Sequence, residues 1–258
     1  MIGSCWQSPP NNILLKTKEI HIWRAFISSD QVDNYKNLLT DEEMYRAGKY
    51  FFERDRQRYI LSRGILKKLL SSYAKVRPEN IQFIYNKYGK PYLNMPSRSV
   101  EIQFNISHSE DIILLAFTYG HKIGIDIEYQ RAEFADMKIA EHFFSPAEIS
   151  ALAMLPDNMR KKAFFECWTR KEAFIKAKGQ GLTIPLDGFE VSVMPDEPAQ
   201  LLNIYDDPEE VKRWMMMNIE TGGNYCGALV TESDTYSVFF YDWKDSMYRR
   251  NYFYDSLH

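Results

Sequence analysis

Between residues 123 and 128 the chain alternates strictly. Ile123, Ile125 and Ile127 take one set of positions, and Gly124, Asp126 and Glu128 take the other. Successive strand side chains point to opposite faces. The pattern therefore predicts a strand over Lys122–Glu128 with an aliphatic core face and a second face bearing two carboxylates. Val100–Ile106 alternates too, with Val100, Ile102, Phe104 and Ile106 together, whereas Ile112–Phe117 is almost wholly apolar, as in a fully buried strand. Three runs with short polar links predict an antiparallel meander. Further strands are expected at Ile20–Ile27, Ile81–Tyr85, Tyr225–Val230 and Tyr236–Tyr241.

The helical patterns are equally distinct. Thr40 stands three residues before Glu43, the spacing of a capping box. It opens a long helix running to about Tyr73, with Phe51, Phe52, Ile60, Ile65, Leu66 and Leu70 among its apolar positions. Further helices are expected after Asp136, from Ser145-Pro146, and from about Met159 to Lys178, the last ended by Gly179 as a C-cap. On that last helix Phe164, Phe165, Trp168 and Ile175 fall within about 100° of one another, and Glu172 lies inside the same arc. A glutamate on a core-facing stripe is costly unless paired or bound to metal. Lys176, one turn on, can neighbour it. Antiparallel strands with separate helices make the fold class α+β. The turn at Tyr119–His121 is the natural midpoint.

Composition narrows the partners. The 258 residues carry a formal net charge of −3, so no global basic field favours nucleic acid. Cys5, Cys167 and Cys226 are far apart and match neither a zinc nor a redox spacing, which suits a reduced, cytoplasmic chain. The first residues do not read as a signal peptide, and no run of ~18 apolar residues predicts a membrane span.

The candidate chemistry starts from Asp126 and Glu128. Two carboxylates about 7 Å apart on one strand face suit a hard divalent cation, and Gly124 beside them leaves room for a ligand. An amphipathic strand with a solvated polar face gives the same pattern. Glu172 adds a third carboxylate, although a Glu172–Lys176 pair at the rim explains it as well. Lys90 lies in a Gly-Lys-Pro turn, His108 ends a strand, and Arg46, Arg58 and Arg63 sit on the first helical stretch; each can meet phosphate or solvent. There is no G-x-S-x-G elbow, Walker A motif or G-x-G-x-x-G fingerprint.

In order, Tyr88-Gly-Lys-Pro91, Asn105-Ile-Ser-His-Ser109, Gly124-Ile-Asp-Ile-Glu128, Phe143-Phe-Ser-Pro-Ala-Glu148, and Trp168-Thr-Arg-Lys-Glu-Ala-Phe-Ile-Lys176 with Gly179-Gln-Gly181-Leu182 resemble the Sfp-type 4′-phosphopantetheinyl transferases. The resemblance implies two similar α+β halves, 1–118 and 119–258, related by a pseudo-twofold axis, with coenzyme A in the cleft between them. It implies transfer of phosphopantetheine from coenzyme A to a serine of an acyl or peptidyl carrier protein, releasing 3′,5′-adenosine bisphosphate. Asp126, Glu128 and Glu172 match the family's ligands for Mg²⁺, with Mn²⁺ as a substitute. Arg46, Arg58, Lys87, Gly89, Lys90, Pro91, Ser107, His108, Asp126 and Lys176 match its coenzyme A contacts. Glu172, Asp126, Lys176 and His108 are the expected catalytic groups, with Glu172, directly or through a metal-bound water, as base. The expected partner is an acidic carrier, docked on basic patches at Arg160-Lys161-Lys162 and Arg170-Lys171. The same resemblance suggests a monomer, and the charge balance and lack of a long apolar run point to neither nucleic acid nor membrane. A metal-dependent phosphodiesterase or nuclease, and a non-catalytic coenzyme A-binding module, are the competing readings.

Overall fold

The computed structural model describes residues 5–94, 101–194, 197–232 and 236–245. Strand β1 (Glu19–Phe26) leads into helices α1 (Asp33–Lys36), α2 (Asp41–Gly48) and α3 (Glu53–Ala74). A short hairpin, β2 (Phe83–Tyr85) and β3 (Pro91–Leu93), precedes a long one, β4 (Ile102–Ser109) and β5 (Ile112–Tyr119). The order then recurs. Strand β6 (Ile123–Tyr129) is followed by α4 (Met137–Phe143), α5 (Pro146–Met154) and α6 (Asp157–Lys178), the hairpin β7 (Phe189–Val191) and β8 (Leu201–Ile204), and the pair β9 (Trp214–Asn218) and β10 (Tyr225–Glu232). Strand β11 (Ser237–Asp242) closes the described chain.

The sheets repeat the same plan. One runs β11-β1-β5-β4 and the other β6-β10-β9, so in each unit the first strand pairs antiparallel with the last, which pairs with the one before it. The terminal strand β11 crosses back and adds to β1 in parallel. Helix α3 covers one sheet through Ile60, Leu61, Leu66 and Leu70 against Trp23, Leu115 and Phe117. Helix α6 covers the other through Phe174, Ile175 and Ala177 against Ala228 and Val230. Between the sheets lies a third core, in which Ile20, Ile22, Leu114 and Leu229 meet Ile123, Ile125 and Ile127. The expected aliphatic face of β6 is thus the central layer of a helix–sheet–sheet–helix stack. Each fully buried aliphatic side chain there contributes roughly 1.5–3 kcal/mol.

Two expectations change. The meander is broken, because β6 does not pair with β5. It leaves for the second sheet, since its isoleucine face is buried by packing flat against β1 and β5 rather than by lying beside them. The long helix from Thr40 is two helices, with Thr40 capping only α2 by a reciprocal bond with Glu43. Phe51 and Phe52, which suggested continuity, are exposed at the break, and α2 folds against α3 instead of extending it. The other caps are as expected: Asp136 on α4, Ser145 with Glu148 on α5, and Gly179 at φ 70° ending α6.

Candidate active site

The two sheets meet along an open seam, where edge strand β4 runs beside edge strand β6 without a backbone ladder between them. Side chains bridge the seam instead. Asn105 Oδ1 accepts from the Ile125 N–H at 2.9 Å, and Ser109 Oγ accepts from the Tyr129 N–H at 3.0 Å. Ser109 Oγ also donates to Glu128 Oε2 at 2.9 Å, and Ser107 Oγ donates to Asp126 Oδ1 at 2.8 Å. Alternate residues of β4 therefore hold both carboxylates of β6.

On the other side of β6 stands α6. Gly124 makes their contact possible: a Cβ there would lie 2.0 Å from Ala173 O and 2.4 Å from Ala177 N. The glycine admits the helix backbone, not a ligand, which corrects the expectation of room for a bound molecule. The close crossing brings Lys176 Nζ to 2.6 Å from Asp126 Oδ1 and 2.9 Å from Ser107 Oγ.

Of the expected core stripe on α6, Phe164, Phe165 and Ile175 are buried in the core, whereas Trp168 and Glu172 are only half-buried. Apart from Trp168, Glu172 and Lys176, residues 163–177 of α6 are buried, including Arg170 and Lys171. Trp168, Glu172 and Lys176 lie four residues apart on the half-buried strip that faces a cavity, because the rest of the helix is enclosed by the sheet and by α5 and β7. Lys171 Nζ donates to Leu186 O at 2.8 Å and Phe189 O at 2.7 Å and pairs with Glu148 at 2.8 Å; Arg170 donates to Ser192 O at 2.6 Å. Neither belongs to a surface patch, so docking on Arg170-Lys171 is ruled out. Lys161 and Lys162 are exposed, while Arg160 is held by Leu152 O and Leu155 O.

The cavity is about 410 Å³ and is lined by Asp126, Glu128, Glu172, Lys176, Ser107 and His108, together with Pro91 and Arg63. Its electrostatics are strained. Burial and the Asp126 charge push the Glu128 carboxyl up to about 7, and the same two causes raise Glu172. Burial, with Arg58 beside it, brings the His108 imidazole down to about 4. Asp126 Oδ2 is buried and has no hydrogen-bond partner. An orphan oxygen on Asp126, whose charge raises both Glu128 and Glu172, makes a donor set that fits a hard divalent cation. Among the described residues no three His, Cys, Asp or Glu are already gathered into a metal cage. Lys176 supplies the positive charge that Asp126 has in this arrangement.

The remaining expected contacts scatter. Arg46 lines a separate groove of about 780 Å³, which shares Tyr59 with the first cavity, and its guanidinium lies 5.9 Å from the Tyr85 ring. Arg58 donates to Asp55 at 2.9 Å and to Glu110 O at 3.2 Å. Lys87 and Gly89 sit at the exposed tip of the β2–β3 hairpin, outside the lining of both cavities. Lys90 Nζ points into the protein and donates to three backbone carbonyls. Sequence reasoning gave no role to Asn105 or Ser109, although the polar alternation Asn105-x-Ser107-x-Ser109 marks one strand face as plainly as the isoleucines mark another. Tyr59 and Ser62 also line the cavity, and only their place on α3 reveals it.

Residues 122–230 match the family model described as the 4′-phosphopantetheinyl transferase superfamily, and residues 23–119 match one described as 4′-phosphopantetheinyl transferase, N-terminal. The chain is 36% identical over 203 residues to 4′-phosphopantetheinyl transferase HetI of a Nostoc species, covering 78% of this chain and 85% of that one. It is 39% identical over 189 residues to the transferase gsp of Aneurinibacillus migulanus, covering 73% and 70% of the two chains. With the transferase Sfp of Bacillus subtilis it shares 30% identity over 171 residues, covering 66% and 73%.

Proposed function

The chain belongs to the 4′-phosphopantetheinyl transferase family, and we propose that it moves phosphopantetheine from coenzyme A to a carrier-protein serine in the seam cavity. The observation that carries this reading is the convergence of Asp126, Glu128, Glu172, Lys176, Ser107 and His108 on one cavity. We assign the halves to residues 1–118 and 119–258, and the recurring strand order supports a pseudo-twofold axis between them. The enzyme works in this reading as a cytoplasmic monomer. Two of its three free cysteines are buried, which suits a reducing compartment.

Asp126, Glu128 and Glu172 would hold Mg²⁺, or Mn²⁺ in its place. Bound there, the ion supplies charge neutralisation for the coenzyme A diphosphate. Everything else falls to the chain's own groups. Lys176, released from Asp126 to the diphosphate, contributes charge-assisted donors at the phosphates. His108, neutral at pH 7 with its imidazole near 4, donates one N–H to the same region. The carrier serine Oγ attacks the β-phosphorus. The bond to the bridging oxygen breaks, and 3′,5′-adenosine bisphosphate departs with the bonding pair. Glu172 takes the serine proton, a role typically worth ~10²–10⁴-fold.

The carrier reaches this point beside a second cavity of about 270 Å³, which shares Glu128 and Trp168 with the first and is walled by Phe134, Ile139, Phe164 and Phe165, with Arg131 on its lining. An acidic carrier fits that mixture of apolar wall and basic side chain, with Lys161 and Lys162 as the remaining exposed pair on α6. No nucleic acid or membrane partner is proposed. Among the described residues no helix is long and apolar enough to cross a membrane.

Intact-mass spectrometry of an apo carrier protein incubated with this chain, coenzyme A and Mg²⁺ tests the reading. A gain of one phosphopantetheine group is expected. Hydrolysis of coenzyme A without carrier modification would favour a phosphodiesterase, and binding without turnover would favour a coenzyme A-binding module. The relatives lend neither alternative support.

A further inference from the structure

The turn of the β2–β3 hairpin is tied internally. Asn86 Oδ1 accepts from the N–H groups of Tyr88 and Lys90, both at 2.9 Å, and the Asn86 N–H donates to Lys90 O at 3.1 Å. Two side chains leave this turn and cross to the other half. Asn86 Nδ2 donates to Gly179 O at 2.7 Å. Lys90 Nζ donates to Lys176 O at 2.6 Å, Ile123 O at 3.1 Å and Ala177 O at 3.3 Å.

The carbonyls of a helix's last turn have no partner within the helix and carry the negative end of its dipole. An ammonium there satisfies several at once. With only three N–H donors, this one has none left for a phosphate. Its partners are also specific. Lys176 O belongs to the residue whose side chain reaches Asp126, and Ile123 O precedes Gly124, where α6 and β6 touch. Lys90 therefore fastens, from the first half, both elements that carry the three carboxylates. The next residue after Lys90, Pro91, opens β3 and lines the cavity.

We infer that the Asn86–Lys90 turn is a clasp across the two halves, with Lys90 a positioning residue that sets the register of α6 on β6 rather than a contact to coenzyme A. The inference rests on the transferase reading, because the register matters through Glu172 and Lys176. Misplacing such groups by an ångström costs on the order of 10²-fold in rate.

The test compares Lys90→Met with the wild-type chain in carrier phosphopantetheinylation. The clasp predicts a kcat lowered about ten- to hundredfold with the coenzyme A KM changed by less than about threefold. Lys90→Cys in a Cys5→Ser background, alkylated to an aminoethyl thioether, restores the ammonium and should recover most of the lost kcat. Asn86→Asp keeps an acceptor within the turn and replaces the donor to Gly179 O by a carboxylate oxygen that repels it. It should give the same kcat-weighted defect at smaller size and stands in if Lys90→Met does not fold. A coenzyme A KM raised tenfold or more at unchanged kcat would place the ammonium on substrate and overturn the clasp, as would full activity in Lys90→Met and Asn86→Asp. Amide exchange of residues 174–179 gives a readout independent of turnover: the clasp predicts faster exchange there in Lys90→Met, and unchanged exchange overturns it. A wild-type chain without transferase activity would defeat the functional reading while leaving this measurement to judge the clasp.

Discussion

Ser107 and Asp126 face each other across the seam between the sheets, hydroxyl to carboxylate at 2.8 Å, and Lys176 Nζ touches both. The serine thus aims Asp126 Oδ1 and leaves Oδ2 free of partners. Residues that orient ligating groups typically change metal affinity or activity by 10–100-fold. Ser107→Ala should therefore lower transfer and weaken Mg²⁺ activation by about tenfold or more, with near-native thermal stability. Titrating Mg²⁺ in the transfer assay checks this.

Gly124→Ala puts a methyl group into the backbone of α6, 2.0 Å from Ala173 O. Neither helix nor strand can yield cheaply, and overpacking of this kind costs roughly 3 kcal/mol. The expected outcome is a lowered denaturant midpoint together with lost transfer, both read on one preparation.

The sequence showed β6 clearly, because period-two alternation of Ile123, Ile125 and Ile127 depends only on local geometry. The caps at Thr40, Asp136, Ser145 and Gly179 were legible for the same reason. What could not be read was which face meets which neighbour. Gly124 looked like space for a ligand and is space for a helix. Arg170 and Lys171 looked like surface because charge usually is, yet carbonyls of distant segments and Glu148 pair with them in the core. Likewise, the three carbonyls that take up the Lys90 ammonium are contributed by β6 and α6, more than thirty residues away. The ordered motifs located the carboxylates, whereas the seam that holds them appears only when β4 and β6 lie side by side.

Lys171→Met should damage stability, not docking. It leaves Glu148 buried without its cation, and breaking a buried pair costs roughly 3–5 kcal/mol. Urea unfolding should show that loss. The salt dependence of carrier binding should be unchanged at any temperature where the variant is folded.

His21 makes folding pH-dependent. Burial brings its imidazole down to about 4 in the folded protein, against 6.5 unfolded, while Glu19 opposes the shift. The unfolded chain then binds the extra proton first as pH falls. This group's stabilisation is complete above pH 6.5 and is lost progressively down to about 4. Its share of stability at pH 5 should be about 2 kcal/mol below that at pH 7. Denaturant unfolding across this range checks it, and His21→Gln should flatten the profile there.

His108→Ala should weaken coenzyme A rather than the carrier. His108 lines the cavity with Ser107, and a charge-assisted hydrogen bond lost there is worth roughly 1.5–3 kcal/mol. Calorimetric titration should show coenzyme A affinity falling about tenfold or more, with the carrier KM changed by less than threefold.

The most direct measurement is single-turnover phosphopantetheinyl transfer to an apo carrier by Asp126→Asn and Glu172→Gln, each with circular dichroism matching the wild type. Loss of transfer by at least about a thousandfold in both, with folding intact, is the expected result. Transfer at near wild-type rate by either variant would contradict the assignment of the seam cavity as the place where the diphosphate is cleaved.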